Sequence, residues 1–171
     1  MKIPYVNIQK QYKKEKKKLL KVIDNTLDSG NWVGGSEIEK FEKNISKICK
    51  TKYCVSLNSG TDALTLALHL LGVRRGDEVI TPPNSFIAST SVIVHLGAKP
   101  VFVDVKKDQS IDEDKIEEKI TNKTKAIMPV HLTGRMCTMD KIMNIAKKYK
   151  IPVIEDCAQS IMSQYKNKMS G

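Results

Sequence analysis

Aromatic residues make up only 5 % of the 171, with a single Trp and three Phe, and arginine is scarcer: Arg74, Arg75 and Arg135 stand against 26 lysines. Proteins that read nucleic acid use arginine for bidentate contacts to phosphate and base edges, and exposed rings for stacking, so this composition argues against a nucleic-acid partner. Four cysteines, Cys49, Cys54, Cys137 and Cys157, show no C-x-x-C spacing, and three of them lie in or beside apolar stretches. A reduced thiol packs there as a small hydrophobe, so neither a disulfide framework nor a zinc site is expected. No apolar run approaches the roughly 20 residues that cross a bilayer. No apolar block leads from the first lysines to a small-residue cleavage site, which makes the cytoplasm the default compartment and leaves no membrane partner. Neither G-x-G-x-x-G nor G-x-x-x-x-G-K-[ST] occurs, so the fingerprints of dinucleotide and P-loop triphosphate sites are missing.

What the chain has is lysine, unevenly placed. The formal net charge is +10, but residues 1–21 hold eight lysines and one acid, Glu15, and so carry most of the surplus. Ile8, Tyr12, Leu19, Ile23 and Leu27 recur at spacings of four and seven among those lysines, which predicts an amphipathic helix over residues 4–27. Packing against its own domain is the simplest use of such a stripe; a membrane-surface helix is the rival, and the stripe's lack of Trp and Phe weighs against it. Ser29-Gly30-Asn31 breaks the pattern. Trp32-Val33-Gly34-Gly35 reads as a loop before a second helix from about Ser36, carried by Ile38, Phe41, Ile45 and Ile48. Residues 1–35 are therefore read as a basic N-terminal segment, and 36–171 as the start of a larger α/β domain.

From Tyr53 the rhythm changes. Candidate strands at 53–57, 78–81, 100–105, 125–130 and 152–155 alternate with candidate helices at 62–71, 88–96, 111–120 and 139–149. A Ser110-x-x-Glu113 capping box opens the third helix and Thr138 is a cap for the fourth. Repeated βα units of this length predict an α/β fold, a mostly parallel sheet with helices on both faces, and 40 % hydrophobic residues suffice for its core. Ligands of such sheets bind beyond the carboxyl ends of the strands, so the residues just after each strand are the ones to inspect.

Asn58-Ser59-Gly60-Thr61-Asp62 is a small, hydroxyl-rich turn opening into a helix, where free N–H groups and the helix dipole suit an anion; the same residues also make an ordinary N-cap. Phe86, in Pro82-Pro83-Asn84-Ser85-Phe86, either plugs the core or stacks on a planar ring. Asp104 after the third strand is a turn acceptor or a ribose-type acid without its glycine motif. His131 is the one histidine that follows a strand. Asp156, in Glu155-Asp156-Cys157-Ala158-Gln159, ends a buried run and needs a cation or an N–H partner; no compact set of acids and histidines accompanies it in the sequence. An anion cradle, a ring face, a histidine and a carboxylate beside an amide together suit pyridoxal 5′-phosphate, whose ring nitrogen stays protonated against an aspartate.

The succession Gly30-x-Trp32-Val33-x-Gly35, Phe41-Glu42, Ser59-Gly60-Thr61-Asp62-Ala63-Leu64, Pro82-x-x-Ser85-Phe86-x-Ala88-x-Thr90, Pro129-Val130-His131-Leu132-x-Gly134 and Glu155-Asp156-x-Ala158-Gln159 resembles the DegT-type sugar-nucleotide aminotransferases across the whole chain. The resemblance implies the N-terminal part of a PLP-dependent transferase large domain of the aspartate aminotransferase type, a homodimer when full length, and amino transfer from glutamate or glutamine to a nucleotide-linked keto-sugar. It implies that Ser59, Gly60 and Thr61 hold the cofactor phosphate, that Phe86 stacks on the ring, that Asp156 pairs with its nitrogen and that Gln159 approaches its phenolic oxygen. Trp32 and His131 match positions that shape the substrate side. The lysine that forms the Schiff base in this family falls beyond Gly171, so no catalytic residue is assigned within the chain and the segment alone is expected to turn over little. A dehydratase relative, with histidine in place of that lysine, and a non-catalytic nucleotide-sugar or phosphate-binding remnant are the alternatives.

Overall fold

The computed structural model describes residues 4–171 and resolves into two compact units, one reaching to Lys43 and one running from Asn44 to Gly171.

In the first unit, helix α1 spans Ile8–Asp28 and begins three residues after Tyr5, because the Asn7 side chain accepts from the Lys10 N–H at 2.9 Å and caps it there. No residue of α1 is buried. Its apolar stripe, Ile8, Tyr12, Leu19, Ile23 and Leu27, is exposed within its own unit. Ser29 closes the helix, its N–H reaching the Asn25 carbonyl. Helix α2, Ser36–Cys49, starts where the sequence predicts it, with Glu37 and Glu39 at its positive end.

The second unit carries the sheet. Strands β1 (Glu78–Thr81), β2 (Lys99–Phe102) and β3 (Thr124–Ile127) lie in the order β2-β1-β3, and both pairings are parallel. Beyond β3 the chain returns alongside it through single parallel bridges, Ile127 to Val153 and Val130 to Asp156. The predicted strand at 152–155 is thus reduced to isolated bridge contacts rather than a continuous ladder. The predicted strand at 53–57 does not form: Tyr53 and Val55 are each 73 % exposed, and among the described residues no strand pairs with the segment to give it a ladder.

Alternation along β1 and β3 sorts side chains onto two covered faces. Val79, Ala126 and Met128 meet Leu64 and Leu68 of helix α3 (Gly60–Leu70) and Val92 and Ile93 of helix α4 (Ala88–His95). Ile80 and Ile127 point the other way, onto Met139, Ile142 and Ala146 of helix α5 (Met139–Tyr149), with Val103, Ile111 and Ile116. Helices therefore cover both faces of a parallel sheet, as the sequence rhythm predicts.

The predicted helix at 111–120 is two short 3₁₀ turns, Glu113–Lys115 and Glu117–Lys119. Its capping box does not form, because Ser110 donates instead to Asp108 at 2.7 Å while Glu113 is buried against Lys106 at 2.6 Å. Asp112 caps the first turn in its place, accepting from the Asp114 N–H. Thr138 does sit at the N-cap of α5, but makes no side-chain cap bond; its hydroxyl accepts from Lys106. A two-residue hairpin closes the chain, β4 (Gln164–Tyr165) against β5 (Lys168–Met169). Lys166 and Asn167 at its tip have φ of 48° and 64°, the left-handed pair that matches strand twist. No helix among the described residues is long and apolar enough to cross a membrane.

Candidate functional site

The turns to inspect stand at the carboxyl ends of the strands, and hydrogen bonds between them join residues far apart in sequence. Asp156 is 9 % exposed. Its backbone is fixed by the bridge to Val130: its N–H donates to the Pro129 carbonyl and its own carbonyl accepts from the His131 N–H, both at 3.0 Å. The N–H partner expected of a buried carboxylate is that of Ala158, which donates to Oδ1 at 3.2 Å. The other oxygen, Oδ2, accepts from the hydroxyl of Ser89, a fully buried residue at the start of α4, at 3.1 Å. Ser85 stands behind it with its Oγ 2.7 Å from Ser89 Oγ. Phe86 lies between these two serines in sequence and is 72 % exposed, so the ring does not plug the core.

His131 is completely buried. The Cys137 N–H donates to its Nδ1 at 3.2 Å, which puts the imidazole proton on Nε2, and Nε2 faces Glu155 Oε2 at 2.7 Å. Both ring nitrogens are therefore engaged with the chain itself, and the residue ties the turn after β3 to the residue before Asp156. Cys157 joins this group: the ligating atoms of His131, Glu155 and Cys157 lie within 4.8 Å of one another. A cluster of acid, histidine and thiol thus exists here that sequence spacing did not reveal. Burial pushes the Cys157 thiol up to about 11, with Glu155 and Asp156 adding to the rise, so it stands protonated at neutral pH.

Gln159 turns its Oε1 to the Thr133 N–H at 2.7 Å and clamps the Leu132–Gly134 turn, where Thr133 holds a left-handed φ of 57°. The Ser59 turn is built as a cap. Ser59 Oγ accepts from the Asp62 N–H at 3.1 Å and donates to Asp62 Oδ2 at 2.9 Å, while Asn58 Nδ2 donates to the same oxygen. Thr61 is exposed on the first turn of α3, and its carbonyl accepts from Thr65. A Cβ built on Gly60 would meet nothing within 4 Å, and its φ is not left-handed. The chain's own packing therefore does not require glycine there.

In the first unit, Trp32 donates its indole N–H to the Leu27 carbonyl at 3.2 Å and is 69 % exposed along a groove that Val22, Gly34 and Ile38 also line. Asp104 is a turn acceptor, taking the Val105 N–H at 2.8 Å and lying 3.7 Å from Lys115.

Sequence reading missed Ser89 and Glu155 as parts of this arrangement. The signal for Ser89 was present: two hydroxyls four residues apart, Ser85 and Ser89, bracket the loop aromatic at a helix start.

The chain is 42 % identical over 170 residues to a dTDP-3-amino-3,6-dideoxy-alpha-D-galactopyranose transaminase of Aneurinibacillus thermoaerophilus, covering 99 % of this chain and 47 % of the relative. The crystal structure of S. venezuelae DesV in complex with a ketimine intermediate superposes with a TM-score of 0.95 at 36 % identity, over 99 % of this chain and 46 % of that one. The structure of NtdA from Bacillus subtilis with bound cofactor PMP superposes with a TM-score of 0.92 at 38 % identity, over 99 % of this chain and 39 % of that one. The chain thus spans about half the length of the proteins it matches. The model of the DegT/DnrJ/EryC1/StrS aminotransferase family matches residues 13–171, a stretch that includes every turn described above. By that match, and by the superposition of its fold, the chain belongs to the DegT/DnrJ/EryC1/StrS aminotransferase family.

Proposed function

We propose that this chain forms the cofactor-holding N-terminal part of a cytoplasmic, homodimeric PLP-dependent aminotransferase that moves an amino group from glutamate or glutamine onto a nucleotide-linked keto-sugar. The observation that carries the reading is Asp156, a buried carboxylate with one hydrogen bond to each oxygen and lone pairs left for a further donor. Those lone pairs can take one more donor, and a protonated pyridine nitrogen is such a donor. The cofactor, when bound, supplies an electron sink for the bonds broken at the amino-bearing carbon.

The chain's own residues do the rest. Gly60 and Thr61 offer first-turn N–H groups to a phosphate, with the Ser59 hydroxyl already committed to Asp62. Phe86 presents an exposed ring for stacking. Gln159 accepts the Thr133 N–H at 2.7 Å and so fixes the turn that carries Thr133. Trp32, which lines a groove of the first unit, is read as a substrate-binding residue, and the lysines of α1 attract an anionic nucleotide. Family relatives named as transaminases support amino transfer over dehydration.

The test is equilibrium dialysis of the purified protein with pyridoxamine 5′-phosphate and, separately, with a nucleotide sugar. Asp156→Ala is expected to weaken pyridoxamine phosphate binding by about tenfold or more and to leave the nucleotide sugar unaffected, since a hydrogen bond to a charged partner is worth roughly 1.5–3 kcal/mol. A protein that binds no pyridoxamine phosphate, or an Asp156→Ala variant that binds it equally well, refutes the assignment.

A further inference from the structure

Asp156 does not hold its orientation unaided. It lies at the end of a single parallel bridge, not in a ladder, so backbone pairing fixes its Cα but leaves its side-chain torsions free. Two donors remove that freedom, the Ala158 N–H at one oxygen and the Ser89 hydroxyl at the other. Ser89 is fully buried, 67 residues away in sequence, and belongs to the first turn of α4, so it reaches the carboxylate from a different element.

The polarity of the Ser85–Ser89–Asp156 chain follows from donor arithmetic. An ionised carboxylate only accepts, so the single Ser89 proton goes to Asp156 Oδ2. Ser89 Oγ is then an acceptor toward Ser85, 2.7 Å away, and Ser85 is the donor of that pair. Hydrogen bonds aligned in this way polarise one another, so the outer hydroxyl strengthens the inner bond.

We propose that Ser89, backed by Ser85, is a positioning residue that orients the Asp156 carboxylate toward the ring nitrogen of a bound pyridoxal-type cofactor; the proposal rests on the functional reading above. Neither serine touches the reacting atoms. Their effect is confined to the interaction that Asp156 makes, so removing them weakens recognition of a ring nitrogen and nothing else in the ligand.

The experiment compares two probes by fluorescence titration of the purified protein: pyridoxamine 5′-phosphate and its deaza analogue, in which carbon replaces the ring nitrogen. The unaltered protein binds pyridoxamine phosphate more tightly. Ser89→Ala lowers that affinity by about tenfold and leaves the deaza analogue unchanged, and Ser85→Ala gives a smaller selective loss of roughly threefold. In an Asp156→Ala background, Ser89→Ala adds no further loss. Equal losses for both probes would mean a merely structural role and would overturn the proposal, as would no loss for either. Should Ser89→Ala fail to fold, the half-buried Ser85→Ala decides by the same criterion. Failure of the two readings is separable: a protein that binds neither probe refutes the cofactor assignment itself, whereas a Ser89→Ala variant that discriminates between them as strongly as the unaltered protein refutes only the positioning role.

Discussion

His131 shows how a single residue's role is decided by what its two nitrogens meet. The Cys137 N–H on Nδ1 and Glu155 on Nε2 leave no free edge, so the ring works as a bracket holding the turn after β3 against the residue preceding Asp156. Replacing it by leucine strands both partners, and His131→Leu is expected to cost about 2–4 kcal/mol in urea denaturation; a loss under about 0.5 kcal/mol would remove this role. Glu113 makes a parallel case with a pH dependence. Burial opposes its ionisation, but the bonds and charge of Lys106, with Thr138 and its own backbone, prevail and hold the carboxyl below the ordinary glutamate range. A depressed folded-state value adds stability above the unfolded value, about 4.3, and that contribution drains away as pH falls through the folded value. Glu113→Gln should therefore flatten the pH–stability curve below about pH 4.3 while lowering stability near neutrality. A variant with an unchanged acid limb would show that the pairing contributes nothing. At this scale the sequence singles out His131 and Asp156 by their place after apolar runs, but not their partners, because Glu155 is 24 residues from His131 and Ser89 is 67 from Asp156.

Among the elements, the ones visible in the sequence are those whose periodicity meets a packed neighbour. Helices α3 and α5 and strand β1 appear where apolar spacing puts them, since Leu64, Leu68, Ile142 and Val79 each meet a covered face. Segment 53–57 has the same local credentials but pairs with no strand among the described residues, and remains irregular. The 111–120 stretch fails for another reason: Ile111 and Ile116, five apart, both reach the core, while Glu113 is drawn inward by Lys106, a combination that two 3₁₀ turns satisfy and a regular α-helix does not. Helix α3 offers the test at this scale. Its start depends on the reciprocal Ser59–Asp62 bonds, so Ser59→Ala should lower thermal stability by about 1 kcal/mol. Because that hydroxyl is occupied by the cap, the same variant should leave pyridoxamine phosphate affinity within about twofold in a dialysis measurement. A larger drop in affinity would give Ser59 to the ligand rather than to the helix.

For the molecule as a whole, the +10 charge says less than its distribution. The lysines are densest on α1, whose apolar stripe is exposed in its own unit, while the sheet unit from Asn44 pairs lysines with acids, as in Lys106–Glu113, Lys141–Asp114 and Lys166–Asp140. The fold class was legible because parallel βα units leave a strong rhythm in sequence. The cofactor-type site was legible only as a set of turns, since its assembly depends on bonds between loops that no spacing rule encodes. In the function proposed above, the α3 N-terminus and Asp156 with its two donors hold one phosphorylated pyridine ring between them. A crystal structure of the protein grown with pyridoxamine 5′-phosphate tests it most directly. The phosphate is expected on the N–H groups of Gly60 and Thr61, the ring against Phe86 and the ring nitrogen within hydrogen-bonding distance of an Asp156 carboxylate that still accepts from Ser89. A ligand bound with its nitrogen away from Asp156, or with its phosphate elsewhere than the start of α3, would contradict it.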